Sequence, residues 1–199
     1  MMKEIDARGL ECPKPVILTK KELDNIEEGK VKTTVDNEVA RENLIKLAKS
    51  QNADFEVEEL EGGLFAVTIE KKTSAETQKQ KKLVEVDENY VIAIQSEHMG
   101  RGDEKLGKIL IKSFIYTVRE TKPYPKSILF FNSGVKLTVE ESEVLDDLKD
   151  LEKEGVEIIS CGTCLDYFNL KDKLGVGSIS NMYTIYEKMR NSTNVVTIG

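Results

Sequence analysis

Residues 6–15 have the sequence DARGLECPKP, and this stretch decides the fold of the first part of the chain. A short strand candidate, residues 3–6, precedes it, and apolar residues recur at helical spacing from Val16 onward. Proline is tolerated in the first turn of a helix, because the amides there have no intrahelical partner. Pro13 and Pro15 therefore predict a helix that starts beside Cys12 and places this thiol just after the first strand.

The start of a helix favours an ionised cysteine, because free amides and the positive end of the helix dipole stabilise a thiolate. The charged neighbours Glu11 and Lys14 argue against deep burial of Cys12, although a buried cysteine under the helix is the structural alternative. No histidine occurs in residues 1–71, which excludes a cysteine–histidine pair within this segment. With Arg8 and Lys14 as electrostatic helpers, Cys12 suits thiol exchange or persulfide transfer better than hydrolysis.

Residues 1–71 are predicted to form a small domain with the element order β-α-β-α-β-β, an α/β two-layer sandwich. Gly62 and Gly63 permit a tight hairpin between its last two strands. Residues 72–86 are mostly polar and predict a linker, with a solvated helix as the alternative. Residues 87–199 form the second predicted domain.

Strands and helices alternate through residues 87–199, which predicts a doubly wound, parallel, Rossmann-like sheet. The strand candidates are residues 90–94, 127–131, 156–159 and 195–198. Asp103 is predicted to cap the first helix of this domain, whose buried stripe is expected to be Leu106, Ile109, Leu110, Ser113, Phe114 and Thr117.

Two further helices are predicted in this domain. Thr138 and Glu141 match a capping box before a helix that buries residues 144, 148 and 151. Ser180 is expected to cap a last helix with the buried stripe Met182, Ile185, Tyr186 and Met189.

A second candidate site follows the strand at residues 156–159, where Cys161 and Cys164 enclose Gly162 and Thr163. In open parallel sheets, the loops at the carboxyl ends of the strands build the ligand crevice. His98, Asn132 and Ser133 follow neighbouring strands, and these residues are therefore expected at the same edge. A short helical turn over residues 165–170 is expected to favour the thiolate of Cys164.

Several interpretations of this Cys-x-x-Cys pattern stay open. A thioredoxin-like redox pair is one, although the order of elements differs from that arrangement. Half a zinc site is disfavoured, because the chain has only three cysteines and one histidine. Small residues selected for tight packing are another. The favoured interpretation is a reactive cysteine with a helper thiol.

Composition restricts the partners and the compartment. The chain has 199 residues and a net charge of −7, which makes nucleic acid an unfavourable partner. No apolar run reaches the roughly 20 residues that a transmembrane helix needs, and the N-terminus lacks a secretory signal, so we expect a cytoplasmic protein with reduced thiols. The glycines at positions 100, 102 and 107 do not complete a dinucleotide fingerprint, and we expect neither a cofactor nor a bound metal.

The residues Asp6, Gly9 and Cys12-Pro13-Lys14-Pro15 resemble the signature of the TusA/SirA family of small sulfur carriers. This resemblance covers about residues 3–71 and implies that Cys12 carries a persulfide. It also implies a donor of the cysteine desulfurase type or a selenium-pathway protein, and a sulfur-acceptor protein.

The second domain resembles the DsrE/DsrF-like family, whose members also relay sulfur through a cysteine. The whole chain resembles the YedF-type, sulfurtransferase-like proteins of selenium metabolism. The resemblance implies a carrier or transferase in which Cys161 and Cys164 act as acceptor or resolving thiols, and it is consistent with a homo-oligomer. The alternative is a non-enzymatic small-molecule-binding or regulatory oligomeric module.

Overall fold

The computed structural model describes residues 2–71 and 89–199. The chain divides into two compact units, Met1–Glu85 and Val86–Gly199. The predicted linker, residues 72–86, lies outside the described residues. None of the described helices is long and apolar enough to span a membrane.

The first unit is a four-stranded sheet with two helices, in the element order that the sequence predicts. Its sheet order is β1-β2-β4-β3, in which β1 and β2 are parallel and the other neighbours are antiparallel. The elements are β1 (Met2–Asp6), α1 (Lys14–Asn25), β2 (Gly29–Val35), α2 (Glu38–Ser50), β3 (Asp54–Leu60) and β4 (Leu64–Lys71).

Local sequence explains the ends of these elements. Asn37 caps α2, because its side chain accepts a hydrogen bond of 2.8 Å from the amide of Ala40. Gly62 and Gly63 have positive φ angles, as the predicted hairpin between β3 and β4 requires. The core of this unit is formed by apolar side chains of the helices and of β2 and β4, with Leu44 and Ile69 fully buried.

The second unit is a five-stranded, all-parallel sheet with the order β8-β7-β6-β5-β9. This observation confirms the predicted doubly wound class. A 3-10 helix, Asn132–Thr138, follows β6, and a shorter one is Lys171–Lys173. The other elements are β5 (Tyr90–Ile94), α3 (Glu104–Glu120), β6 (Ser127–Phe130), α4 (Leu145–Lys153), β7 (Glu157–Cys161), α5 (Gly162–Tyr167), β8 (Ser178–Ser180), α6 (Met182–Arg190) and β9 (Asn194–Ile198).

The predicted buried stripe of α3 is wrong for three of its six residues, whereas Ser113, Phe114 and Thr117 are half-buried and Phe114 packs against the core. Leu106, Ile109 and Leu110 are exposed, whereas Ile111 and Ile115 are buried. Apolar residues form two neighbouring stripes on α3, so the helical period alone does not indicate which stripe is buried. Gly107 decides the buried side, because a Cβ at this position would lie 3.0 Å from Cβ of His98.

Two predicted caps are also wrong. Thr138 ends the 3-10 helix and does not cap α4. Its hydroxyl donates to the carbonyl of Val135 and contacts Ser160 Oγ at 2.9 Å. Helix α4 begins at Leu145 without a side-chain cap, although its predicted buried residues are correct.

Asn181, not Ser180, caps α6 by accepting from the amide of Thr184. Ser180 instead ends β8, a three-residue strand that the sequence did not predict. Within the predicted stripe of α6, Ile185 is buried, but Met182 and Tyr186 are exposed.

Candidate functional site

Cys12 is exposed in the loop between β1 and α1. Pro13 is the N-cap of α1 and Pro15 is its second residue, so the thiol lies just before the helix as predicted. The peptide bond between Cys12 and Pro13 is cis. Pro15 is buried, and its carbonyl accepts a hydrogen bond of 2.8 Å from the hydroxyl of Thr19. The start of the helix is therefore anchored in the fold while the sulfur stays open to visiting molecules.

Gly9 connects the Cys12 loop to the segment that precedes α2. Its amide donates a 2.6 Å hydrogen bond to the carboxylate of Asp36, which lowers the pKa of that carboxyl group. The φ angle of Gly9 is +71°, a left-handed conformation that side-chain-bearing residues rarely adopt. This left-handed conformation explains why a glycine stands three residues before the cysteine.

Arg8 forms a bidentate ion pair with Asp6 at 2.8 and 2.6 Å. The hydrogen bonds from the Arg8 side chain, its backbone amide and its charge lower the pKa of Asp6 to about 2. The guanidinium of Arg8, predicted as an electrostatic helper of Cys12, is thus already paired. Lys14, the other predicted helper, is the exposed first residue of α1.

Asn43 of α2 contacts Cys12, although nothing in the sequence predicted this residue. Its side-chain amide donates to Cys12 Sγ over an N···S distance of 3.7 Å. A cavity of about 340 Å³ lies beside the thiol and is lined by residues that include Leu10, Asp36 and Val39. Only the packing of α2 beside α1 brings Asn43 to the sulfur, and a single polar residue in a helical stripe carries no such signal.

The two thiols of the second unit, Cys161 and Cys164, differ strongly in exposure. Cys161 ends β7 and is only 2% exposed, whereas Cys164 lies in α5 and is partly exposed. Burial raises the pKa of the Cys164 thiol, and its hydrogen bond with Cys161 raises it further. The expectation that a helical turn would favour the Cys164 thiolate is therefore wrong: α5 starts at Gly162, and burial outweighs the local amide.

The loop after β6 contacts Cys164 directly. The backbone amide of Asn132 donates to Cys164 Sγ at 3.1 Å, and Asn132 has a φ angle of +52°. Ser133 Oγ accepts from the amide of Glu97 at 3.4 Å, which connects this loop to the one after β5. A Cβ on Gly134 would lie 2.4 Å from the carbonyl oxygen of Ile94. The predicted crevice residues Asn132, Ser133 and Cys164 therefore do meet at the carboxyl edge of the sheet.

The remaining predicted residues have different surroundings. A Cβ on Gly162 would approach the Ile179 side chain at 3.0 Å, so this position needs a small residue for packing against β8. Thr163 is exposed. His98 packs beside Gly107 of α3, and its Nε2 atom is buried without a hydrogen-bond partner among the described residues.

Lys136 and Phe168 extend this edge and were not predicted. The Lys136 ammonium lies 4.9 Å from the centre of the Phe168 ring and 2.5 Å from a carboxylate oxygen of Glu97. Phe168 follows Cys164 by one helical turn, so this cation flanks the thiol-bearing segment. Within residues 2–71 and 89–199, no group of three or more His, Cys, Asp or Glu side chains could hold a metal ion.

The described part of the first unit matches known proteins. The family model of "Sulfurtransferase TusA" matches residues 3–71. The SirA-like protein of Desulfitobacterium hafniense is 39% identical, and the match covers 37% of this chain and all of that one, with a TM-score of 0.35. The chain belongs to the TusA/SirA family.

The second unit matches the model of a different family. The model of the DsrE/DsrF-like family matches residues 111–198, so the chain is a fusion of a TusA-like and a DsrE-like domain. Both families act in sulfur relay, which supports a sulfur-carrier role.

Solved structures similar to the second unit include a protein of unknown function from Methanobacterium thermoautotrophicum and the ychN protein of E. coli. The first is 18% identical with a TM-score of 0.42 and covers 54% of this chain and 96% of its own length. The second is 11% identical with a TM-score of 0.43 and covers 55% and 99%. Among the curated proteins, none matches the chain.

Proposed function

We propose that the chain is a sulfur or selenium carrier in which Cys12 holds the chalcogen as a persulfide or selenosulfide. The observation that carries the proposal is an exposed thiol at the start of a well-anchored helix, in a domain of a sulfur-carrier family. The donor would be a cysteine desulfurase or a selenium-pathway protein, the acceptor another protein, and the compartment the cytoplasm.

The loading step is a thiol–persulfide exchange. The Cys12 thiolate attacks the terminal sulfur of the donor's persulfide, the donor's S–S bond breaks, and the donor leaves as a thiolate. Cys12 then carries one extra sulfur and the associated proton. Sulfur is transferred without an external oxidant, because the sulfane sulfur keeps its oxidation state.

In the second unit, Cys164 is proposed as the thiol that receives the sulfur, because Cys161 is almost completely buried. Cys161 would resolve the Cys164 persulfide by attacking Cys164 Sγ. This step forms a Cys161–Cys164 disulfide and releases the terminal sulfur as sulfide, so both thiols are oxidised while the sulfane sulfur is reduced. A dithiol reductant would then restore the pair.

Intact-mass measurement tests the carrier role. The full chain is incubated with a cysteine desulfurase and cysteine, and a gain of one sulfur atom per chain is expected, removable by a thiol reductant. Peptide mapping should place it on Cys12, and Cys12→Ser should abolish loading. Cys161→Ser should still load Cys12, because this buried thiol acts only after the sulfur has reached Cys164, and any further sulfur in this variant should map to Cys164.

Other outcomes of that experiment are equally clear. An adduct that survives Cys12→Ser would contradict the assignment of Cys12 as the carrier. A chain without any adduct, from a sulfur or a selenium donor, would contradict the carrier role and favour the non-enzymatic binding module. A Cys161–Cys164 disulfide that forms equally in Cys12→Ser, with no extra sulfur on any cysteine, would indicate a redox function instead.

A further inference from the structure

Asn43 is a polar residue that touches Cys12 from a different helix. It lies on α2, it is half-buried, and its amide nitrogen is 3.7 Å from Cys12 Sγ, within the range of hydrogen bonds to sulfur. Gly9 and Asp36 hold the cysteine loop against the start of the same helix. The position of the Asn43 amide relative to the Cys12 sulfur is therefore set by the fold.

The charges around Cys12 show why a neutral donor matters at this position. Glu11 precedes the thiol, and Asp36 lines the cavity beside it. Carboxylates disfavour a nearby anion. A donor in direct contact with the sulfur offsets this repulsion locally.

We propose that Asn43 is the positioning residue of Cys12, orienting its sulfur towards the adjoining cavity and stabilising the negative charge on Sγ by hydrogen bonding. This inference rests on the proposed carrier role, but it concerns a contact that exists without any donor. Val39, one turn earlier on α2, is exposed and lines the same cavity. The start of α2, with Val39 and Ala40, thus forms one wall of the cavity, and Asn43 contacts the sulfur from the next turn of the same helix.

The two halves of the transfer cycle should depend on Asn43 to different degrees. In loading, Cys12 is the attacking thiolate, and a hydrogen bond to the sulfur stabilises this anion while it lowers its nucleophilicity. In delivery, an acceptor thiolate attacks the terminal sulfur, the S–S bond to Cys12 breaks, and negative charge develops on Cys12 Sγ. Asn43 stabilises this leaving group, so delivery should be the more sensitive step.

Alkylation of Cys12 by iodoacetamide at pH 7 tests the contact without any sulfur donor, with peptide mapping of the full chain. We expect Asn43→Ala to slow alkylation of Cys12 by roughly threefold, because the lost stabilisation of the thiolate outweighs the gain in its nucleophilicity. Asn43→Asp, which has nearly the same shape, should slow it by roughly tenfold, because a carboxylate repels the thiolate. Gln51→Ala is the matched control, because it removes a side-chain amide at the far end of α2.

Delivery provides the second measurement. The persulfide is loaded chemically with inorganic polysulfide, and the rate of sulfur transfer to glutathione is measured. Asn43→Ala should slow delivery more than it slows alkylation. Alanine forms helices better than asparagine, so this variant is expected to keep α2 folded, and circular dichroism checks it.

The outcomes separate the inference from the function. Equal alkylation rates for the unmodified chain and both Asn43 variants would overturn the inference, as would an Asn43→Asp variant that reacts like the unmodified chain. The expected order of rates, combined with no loading by any donor, would support the contact and contradict the carrier role. Normal loading of Cys12, together with Asn43 variants that react at the same rates as the unmodified chain, would support the carrier role and exclude Asn43 from it.

Discussion

Cys12 lies in a loop whose main charged groups already have partners. Arg8 binds Asp6 through two hydrogen bonds, and Asp36 accepts from the amide of Gly9. These contacts shape the loop, so Arg8, which the sequence suggested as a helper of Cys12, acts on the backbone geometry of the loop instead. Asn43, a residue without any sequence signal, makes the direct contact with the sulfur.

The ion pair between Asp6 and Arg8 predicts a measurable acid titration. The pKa of Asp6 is about 2, below its ordinary value of 3.8, so the pair stabilises the folded state above about pH 4. This contribution is lost as the pH falls through about 2. In Arg8→Gln, we expect the pKa of Asp6 to rise part of the way towards 3.8, because the Arg8 backbone amide still donates.

An NMR titration of the Asp6 carboxyl carbon checks this expectation. Lys20→Gln is the control, because Lys20 pairs with Asp24 at 2.5 Å and not with Asp6. An Asp6 titration that is identical in Arg8→Gln and in the unmodified chain would contradict the assigned cause.

Helix α3 shows what an apolar pattern can and cannot predict. Its position and its cap at Asp103 are as predicted, since a long amphipathic segment with an acidic N-cap is a strong signal. The buried side of α3 differs from the prediction, because the pattern contains two apolar stripes. The close approach between Gly107 and the loop after β5 decides between them, and such a tertiary contact cannot be read from periodicity.

Paired substitutions on α3 test the observed orientation. Ile111 is 1% exposed, so Ile111→Ala should lower the free energy of unfolding by roughly 2–5 kcal/mol. Ile109 is 59% exposed, and Ile109→Ala should change it by about 0.5 kcal/mol or less. Both are measured by urea denaturation, and a larger loss for Ile109→Ala would mean that this side of the helix is covered.

At the scale of the whole molecule, the described residues form two separate hydrophobic cores. The core of the first unit includes Leu44, and that of the second includes Leu148, both fully buried. The order of elements in each unit could be predicted, because strands and helices alternate with clear glycine and proline signals. The three-residue strand β8 could not, since so short a segment has no detectable alternation.

Separate cores predict separate responses to core substitutions in the full chain. Leu44→Ala should lower the stability of the first unit by roughly 2–5 kcal/mol and leave amide hydrogen exchange in β5–β7 unchanged. Leu148→Ala should do the reverse and leave exchange in β2 and β4 unchanged. Hydrogen exchange measured by mass spectrometry checks both variants, and equal losses of protection in the two sheets would contradict the prediction.

The packing of Gly134 against the backbone of β5 has a practical consequence for protein engineering. Any side chain at this position would collide with the carbonyl oxygen of Ile94, which belongs to the sheet and has little freedom to move. A randomised library over residues 132–136, selected for folded protein, should therefore retain glycine at 134. Attempts to alter chemistry around Cys164 have more room at the half-buried positions 133 and 136 than at Gly134 or at Val135, which is fully buried.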